Sequence, residues 1–187
     1  MPVFSMTPAS SKLPAAAIFL DRDGTIMRDV DYCGNPNEVE ILSGVPEALR
    51  TLKDSGFKLI VITNQSGIGR GYLREEQYRA VEAEVSRQIG DGIIDATYFC
   101  PHLPNAGCTC RKPAPEMIFN AARDHDLDLA RSFFIGDKQS DMECGRNAGL
   151  KTILVRTGYG KEVNGIVADF VAEDLCEAAD IIFCAGL

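Results

Sequence analysis

The feature that most constrains this chain is a short apolar run, Ala15 to Leu20, that stops abruptly at Asp21-Arg22-Asp23-Gly24-Thr25. Such a run is too short for a helix and carries no polar alternation, so it reads as a strand buried on both faces, as in parallel sheets. A buried strand ending in two carboxylates delivers them to one edge of a sheet. The rhythm repeats downstream: Lys58 to Thr63 is a strand running into Asn64-Gln65-Ser66-Gly67, Ser132 to Ile135 runs into Gly136-Asp137, and Lys151 to Val155 is another strand. Between them, Ser43-Gly44-Val45-Pro46 opens a helix through Leu52 that Gly56 closes, since proline is suited to the first turn and glycine to the stop. From Arg74 to Ile89, the positions Tyr78, Val81, Val85 and Ile89 keep helical spacing against a charged remainder. Helices are also expected from about Pro115 to His125, from about Ser140 to Ala148 and from Glu173 onward, with short strands at Ala96 to Phe99 and Ala168 to Val171.

Strands alternating with helices predict the α/β class: a parallel, Rossmann-like sheet in three layers, because right-handed crossovers put helices on both faces. Residues 15–187 read as one unit of this kind, preceded by an extension over residues 1–14 that mixes Pro, Ser and Thr. In such sheets the site lies beyond the carboxyl ends of the strands. Here those ends supply Asp21 and Asp23, Thr63 and Asn64, and Asp137 and Asp141. The chain's 27 acidic residues against 19 basic ones, a net charge of −8, argue against nucleic acid or an anionic membrane as a partner held by bulk charge. With no apolar run of membrane length and no apolar leader core near the start, the expectation is a cytoplasmic protein.

Asp21 and Asp23 lie two apart, so in extended geometry their side chains point the same way. One carboxylate can then attack an electrophile while the other handles protons. Carboxylates arriving from separate strands repel unless a cation joins them, and Mg²⁺ suits oxygen ligands: Asp21, Asp137 and a main-chain carbonyl near Asp23 make a reasonable half-shell. Asp141 is either a further metal contact or a supporting acceptor at a helix start. Thr63 and Asn64 offer a hydroxyl and an amide, and Gly67, Gly69 and Gly71 are expected to leave the adjoining loop sterically open for a phosphate. Lys112 is a compact cation for a phosphoryl group, and Arg111 beside it can make forked contacts to another anion or hydroxyl.

Three of the seven cysteines crowd around a histidine as Cys100-x-His102-x5-Cys108-x-Cys110. Three thiolates and an imidazole make a closed tetrahedral zinc site over residues 100–110, with no position left for catalysis. Its expected work is structural, fixing Arg111 and Lys112 at the site's rim. Cys33, Cys144, Cys176 and Cys184 are scattered and are expected to be buried as small apolar residues.

Asp21-Arg22-Asp23-Gly24-Thr25, Thr63-Asn64-Gln65, Lys112, and Gly136-Asp137 with Asp141 occur in the order of the four sequence blocks of the haloacid dehalogenase (HAD)-like phosphatase superfamily, which the chain resembles from about Ala17 to Gly160. Cys-Pro-His-Leu-Pro leading to Cys-x-Cys-Arg-Lys-Pro resembles its zinc-loop branch, which holds heptose bisphosphate 7-phosphatases and histidinol-phosphate phosphatases. Asn64 to Gly71, Gly136-Asp137-Lys138 and Val155-Arg156-Thr157-Gly158 look more like the heptose group. The resemblance implies a minimal cap, Asp21 as nucleophile forming a phosphoaspartate, and Asp23 as acid and then base. It also implies Mg²⁺ on Asp21, the Asp23 carbonyl and Asp137, with Thr63 and Lys112 on the phosphoryl oxygens. By the same resemblance Asn64, Gln65, Ser66, Arg111, Lys138 and the stretch Asp29 to Tyr32 should meet a small phosphorylated sugar, in heptose precursor synthesis for lipopolysaccharide or surface glycans. A monomer is expected. The alternatives left open are histidinol phosphate as substrate, and a zinc-containing interaction module or receiver-like domain without turnover.

Overall fold

The computed structural model describes residues 13–161, 165 and 167–185. Residues 1–12 of the expected extension lie outside the described residues. Six strands form one sheet: β1 (Ala17–Leu20), β2 (Lys58–Asn64), β3 (Ala96–Cys100), β4 (Phe133–Gly136), β5 (Lys151–Val155) and β6 (Phe170–Ala172). Every pair is parallel, in the order β3-β2-β1-β4-β5-β6. The helices are α1 (Val45–Asp54), α2 (Ser66–Gly69), α3 (Glu75–Ile89), α4 (Glu116–His125), α5 (Gln139–Asn147) and α6 (Leu175–Cys184).

The central strand shows why this sequence needs two helical layers. Ala17, Ile18, Phe19 and Leu20 are all buried. Alternation sends Ile18 and Leu20 to one face, among Val45, Leu49, Val81, Val85 and Ile182 of α1, α3 and α6. Ala17 and Phe19 go to the other, among Met117, Ile118 and Met142 of α4 and α5. The strand order reverses between β1 and β4. At that switch point two adjacent strand ends diverge and leave a crevice, and Asp21 and Asp137 follow the two strands that flank it.

Between β1 and α1 the chain makes only a short flap, pinned by Arg28 N–H to the Glu40 carbonyl at 2.9 Å and Leu42 N–H to the Ile26 carbonyl at 3.0 Å, with a 3-10 turn at Pro36–Glu38. That is the minimal cap the resemblance implied. Most boundaries lie within two residues of the expected ones, and two shifts have a plain cause. The first strand starts at Ala17, because Ala15 instead exchanges main-chain bonds with Asp126 and Asp128. The last starts at Phe170, because the Asp169 carboxylate takes the Thr152 N–H at 2.7 Å and its hydroxyl at 2.8 Å, occupying the end of the ladder. The scattered cysteines divide: Cys33 and Cys144 are buried as expected, whereas Cys176 is half-buried and Cys184 is exposed because it ends α6.

Strand β2, which carries the second site segment, is fastened at its base to α1 and to the start of β3 by Asp95. Its carboxylate accepts from Lys53 at 2.6 Å, Lys58 at 2.7 Å and the Leu59 N–H at 2.9 Å. Burial pushes this carboxyl up, but the lysines and the amide outweigh it and hold its pKa below the ordinary carboxylate range. A pKa lowered by folding contributes stability that is complete above about pH 4 and is lost as pH falls through the lowered value. Asp95→Asn is therefore expected to cost about 1 kcal/mol near neutral pH, with the gap from the parent closing in strong acid. Urea titrations across pH check this, and a gap that persists in acid would contradict it.

Candidate active site

The site grows from the end of β1. Asp21 keeps the ladder going with its N–H on the Ile135 carbonyl at 3.0 Å, and the chain then turns, with the Ile26 and Met27 amides closing on the Arg22 carbonyl. Gly24 sits at φ +91°, and a Cβ there would collide with the Asp137 carboxyl group. Gly136 has the same role for Asp141, whose carboxylate lies 2.5 Å from where a Cβ would stand. These glycines are what allows three carboxylates to converge: one oxygen from each of Asp21, Asp137 and Asp141 lies within 4.8 Å of the others.

Lys112 enters this cluster from the opposite side. Its buried ammonium donates to Asp21 Oδ1 and to the Ile62 carbonyl, each at 2.7 Å, and stands 2.8 Å from Asp141 Oδ1 as an ion pair. Asn64 fixes the lysine's main chain from both sides, donating to the Lys112 carbonyl and accepting its N–H, each at 3.1 Å. Asn64 was expected to meet substrate; its amide is instead committed to placing Lys112. Burial works against the charge of Lys112, but Asp141 and Asp21 more than offset it and its pKa rises. Burial likewise raises Asp21, yet Lys112 and Lys138 prevail and hold that carboxyl below its usual range. Asp21 is thus kept as an anion, the form a nucleophile needs.

Asp137 shows the reverse. Burial first, and then the charge of Asp21, push its pKa up to about 8. Its Oδ2 accepts the Tyr159 N–H at 2.8 Å, while the buried Oδ1 has no hydrogen-bond partner and its nearest cation, Lys138 Nζ, stands 4.0 Å away. A buried carboxylate oxygen without a partner is rare enough to require an explanation, an unplaced ion among them. The oxygens here suit a hard divalent cation such as Mg²⁺. The Asp23 carbonyl faces the same ground, 3.5 Å from Lys138 Nζ. Asp141 Oδ2 accepts the Lys138 N–H at 3.0 Å at the start of α5, while its buried Oδ1, like that of Asp137, has no hydrogen-bond partner and stands 2.8 Å from Lys112 Nζ. It supports Lys112 and caps a helix.

Asp23 points into a second network. Arg22 grips it with Nε at 3.1 Å and Nη2 at 2.9 Å from each oxygen, and Gln65 Nε2 donates to its Oδ2 at 2.8 Å and to Thr63 Oγ1 at 2.9 Å. Gln65, also expected on the substrate, therefore ties Asp23 to Thr63. Arg22 was not singled out from the sequence. It is 1% exposed, with Nη1 2.6 Å from Glu82 of α3 and the guanidinium over the Tyr78 ring. The signal was available: strand alternation turns the residue between Asp21 and Asp23 inward, and a buried arginine requires carboxylates.

The flap and the glycine loop close the crevice. A cavity of about 190 Å³ gathers Asp29, Tyr32, Asn64, Gln65, Ser66 and Lys138 with Tyr159. Arg111 stands apart on the zinc-loop side, its guanidinium 3.4 Å from the His102 carbonyl. The glycine loop is not open at two of its three glycines, because packing fills it. A Cβ on Gly67 would meet Leu73 at 2.6 Å and Tyr32 at 2.8 Å, and one on Gly69 would meet the Pro101 carbonyl at 2.6 Å. Only Gly71, at φ +73°, faces open space.

Cys100, His102, Cys108 and Cys110 converge at the end of β3. Their near contacts are 3.5 Å (Cys100 to His102 Nδ1), 3.6 Å (Cys100 to Cys108), and 3.2 Å from Cys110 to both Cys100 and His102. A tetrahedral zinc with bonds of roughly 2.0–2.3 Å spaces its ligand atoms by roughly 3.5–3.8 Å, so the set needs only slight expansion to hold one.

A HAD-hydrolase-like family model matches residues 109–178. The D-glycero-D-manno-heptose-1,7-bisphosphate 7-phosphatase of Thermosynechococcus vestitus is 37% identical over 91% of this chain and 96% of its own. The D-glycero-beta-D-manno-heptose-1,7-bisphosphate 7-phosphatase of Yersinia pestis is 40% identical over 86% and 92%. Among solved structures, the D,D-heptose 1,7-bisphosphate phosphatase of B. bronchiseptica complexed with magnesium and phosphate superposes with a TM-score of 0.85 at 34% identity, covering 91% of this chain and 99% of that one.

Alanine in a helix usually gains stability over glycine by about 0.4–1 kcal/mol. At Gly69 it meets the Pro101 carbonyl, main chain that cannot swing away, so Gly69→Ala is expected to lose about 1–3 kcal/mol. Denaturant titration checks the sign, and a stabilised variant would refute the packing account.

Proposed function

This chain belongs to the D-glycero-D-manno-heptose 1,7-bisphosphate 7-phosphatase family of HAD-like hydrolases, and on that premise we propose that it removes the 7-phosphate of that sugar bisphosphate. The observation that carries this reading is the match to the Thermosynechococcus enzyme along more than nine-tenths of both chains. The chemistry of the site supports it residue by residue.

Asp21, held as an anion by Lys112 and Lys138, attacks phosphorus; the new P–O bond forms as the bond to the sugar oxygen breaks, giving a phosphoaspartate. Asp23 delivers a proton to the departing oxygen and takes one back from the water that releases phosphate and restores Asp21. Lys112 trades its contacts with carboxylate oxygens for phosphoryl oxygens as charge redistributes there. The Thr63 hydroxyl accepts from Gln65, so its own proton is free to point at a phosphoryl oxygen. Asp21, Asp137 and the Asp23 carbonyl would hold Mg²⁺, which when bound neutralises the phosphoryl and carboxylate charge. Asp29, Tyr32, Ser66 and Lys138 line the cavity for the sugar, and Arg111 offers a cation at the zinc-loop rim for the second phosphate.

The four-ligand cluster holds zinc as a clasp between β3 and the loop that carries Arg111 and Lys112. Thiolates in that number fit a reducing compartment, which supports the cytoplasm as the place of action. We take the working unit to be the monomer, acting in heptose precursor synthesis for surface glycans.

With Mg²⁺ present, phosphate release from heptose 1,7-bisphosphate is expected to exceed that from histidinol phosphate at least 10-fold in kcat/KM, leaving heptose 1-phosphate. Asp21→Asn should abolish turnover on an intact fold. Equal or faster release from histidinol phosphate would overturn the substrate, and activity retained in Asp21→Asn the phosphoaspartate.

Elemental analysis is expected to find about one zinc per chain. Cys108→Ser should lose both the metal and about 4 kcal/mol, a Tm drop on the order of 10 °C. A zinc-free variant as stable and active as the parent would remove the clasp.

A further inference from the structure

The carboxylate that must carry a proton in both half-reactions is held by the guanidinium of the residue before it, which also reaches the wall of the crevice. Asp23 lies in the fork of Arg22, and the fork is held by Glu82, 60 residues along the chain on α3. Each Asp23 oxygen accepts two of these bonds, Oδ1 from Nε and Nη2 of Arg22, Oδ2 from Nη2 and from Gln65. An ionised carboxylate has about four acceptor directions, and four bonds from three nitrogens take them up. For Asp23 to hold a proton facing the cavity, one of these bonds must be given up while the others keep the carboxyl plane in place. The guanidinium is itself packed over the Tyr78 ring at 5.5 Å and stands almost wholly out of water. Glu82 and Arg22 also line a cavity of about 340 Å³ beneath α3, walled by Tyr78, Val61 and Phe99. A rigid fork on a charged partner is a device for orientation, since a flexible single-point cation would fix neither the plane nor the rotation of the carboxylate.

We propose that Arg22 and Glu82 are positioning residues for the reaction, a relay from α3 that sets the plane of the Asp23 carboxylate for proton transfer to the leaving oxygen and from water. The inference rests on the phosphatase reading of the site and adds to it two residues that act through Asp23. During phosphoaspartate formation the proton leaves Asp23 for the ester oxygen as the P–O bond breaks, so alcohol and aspartyl phosphate appear together. An ester whose leaving group departs as a stable anion, such as p-nitrophenyl phosphate, needs no such proton. In kcat/KM, which reports events up to phosphoaspartate formation, misplacing Asp23 must therefore penalise one class of ester and spare the other, whereas the hydrolysis that follows is common to both.

The test is Glu82→Gln, which keeps shape and removes the charge that holds the fork. Its kcat/KM for heptose bisphosphate is expected to fall about 10- to 100-fold, with most of the change in kcat and little in KM, out of the 100- to 10,000-fold that general acid catalysis supplies. For p-nitrophenyl phosphate, kcat/KM should stay within about 3-fold of the parent's. Arg22→Lys, which replaces the fork by a single point, should show the same split and carries the test if Glu82→Gln is too unstable to assay. Equal losses on both esters, the signature of a merely structural role, would overturn the proposal while leaving the phosphatase reading in place. Failure of the parent protein to release phosphate from any alkyl ester would overturn both.

Discussion

The structure depends on one buried ammonium. Lys112 is placed among Asp21, Asp141 and the Ile62 carbonyl, and each of these comes from a different strand end or helix start. Removing that charge would leave carboxylates crowded without compensation, a far larger cost than the pair's own net worth. Much of the surrounding sequence is arranged to deliver the lysine: Asn64 clamps its main chain, and the cysteine cluster holds the loop immediately before it. The result is an asymmetry between neighbours. Asp21 is held below the usual carboxylate range by Lys112 and Lys138, whereas burial and the charge of Asp21 push Asp137, one oxygen of which has no hydrogen-bond partner, upward. A site in which one carboxylate is satisfied and the next is not is already shaped for a divalent cation on one side and an attack on phosphorus from the other.

How much of this could be read from the chain varies with the kind of residue. The strands after which Asp21 and Asp137 stand were visible as apolar runs, because burial on both faces leaves no alternation to mask them. The cysteine cluster was visible from spacing alone. Asn64 and Gln65 were placed correctly in the crevice, but their partners were not legible: an amide at a strand end can face substrate or neighbour equally well, and only the arrival of Lys112 from 48 residues away decides it. The place of Arg22 is hard to read from the motif alone, because the second carboxylate that compensates its burial, Glu82, lies 60 residues along the chain. Gly67 and Gly69 were misread as room for a ligand, since a glycine marks close approach without saying what approaches. Here it is Tyr32 and the Pro101 carbonyl, chain segments far off in sequence.

Those close approaches join parts that would otherwise be independent. The flap, the glycine loop and the cysteine loop meet around α2, with Gly69 N–H on the Pro101 carbonyl at 2.9 Å and the Tyr32 and Tyr72 rings 4.9 Å apart at the rim. With so small a cap, the walls of the crevice are supplied by loops held to one another, and the edge strand β3 takes part through its last residue, Cys100, whose thiol belongs to the cluster and whose carbonyl accepts the Gln65 N–H at 2.7 Å.

The contacts that define the centre span long stretches of chain: 91 residues separate Asp21 from Lys112, and 115 separate Asp23 from Lys138. Closing loops of that length is slow, because the entropy is lost before any contact repays it. No short stretch of the chain holds Asp21, Lys112 and Asp137 together. During refolding the centre can therefore form only after β1, β2 and β4 have all found one another.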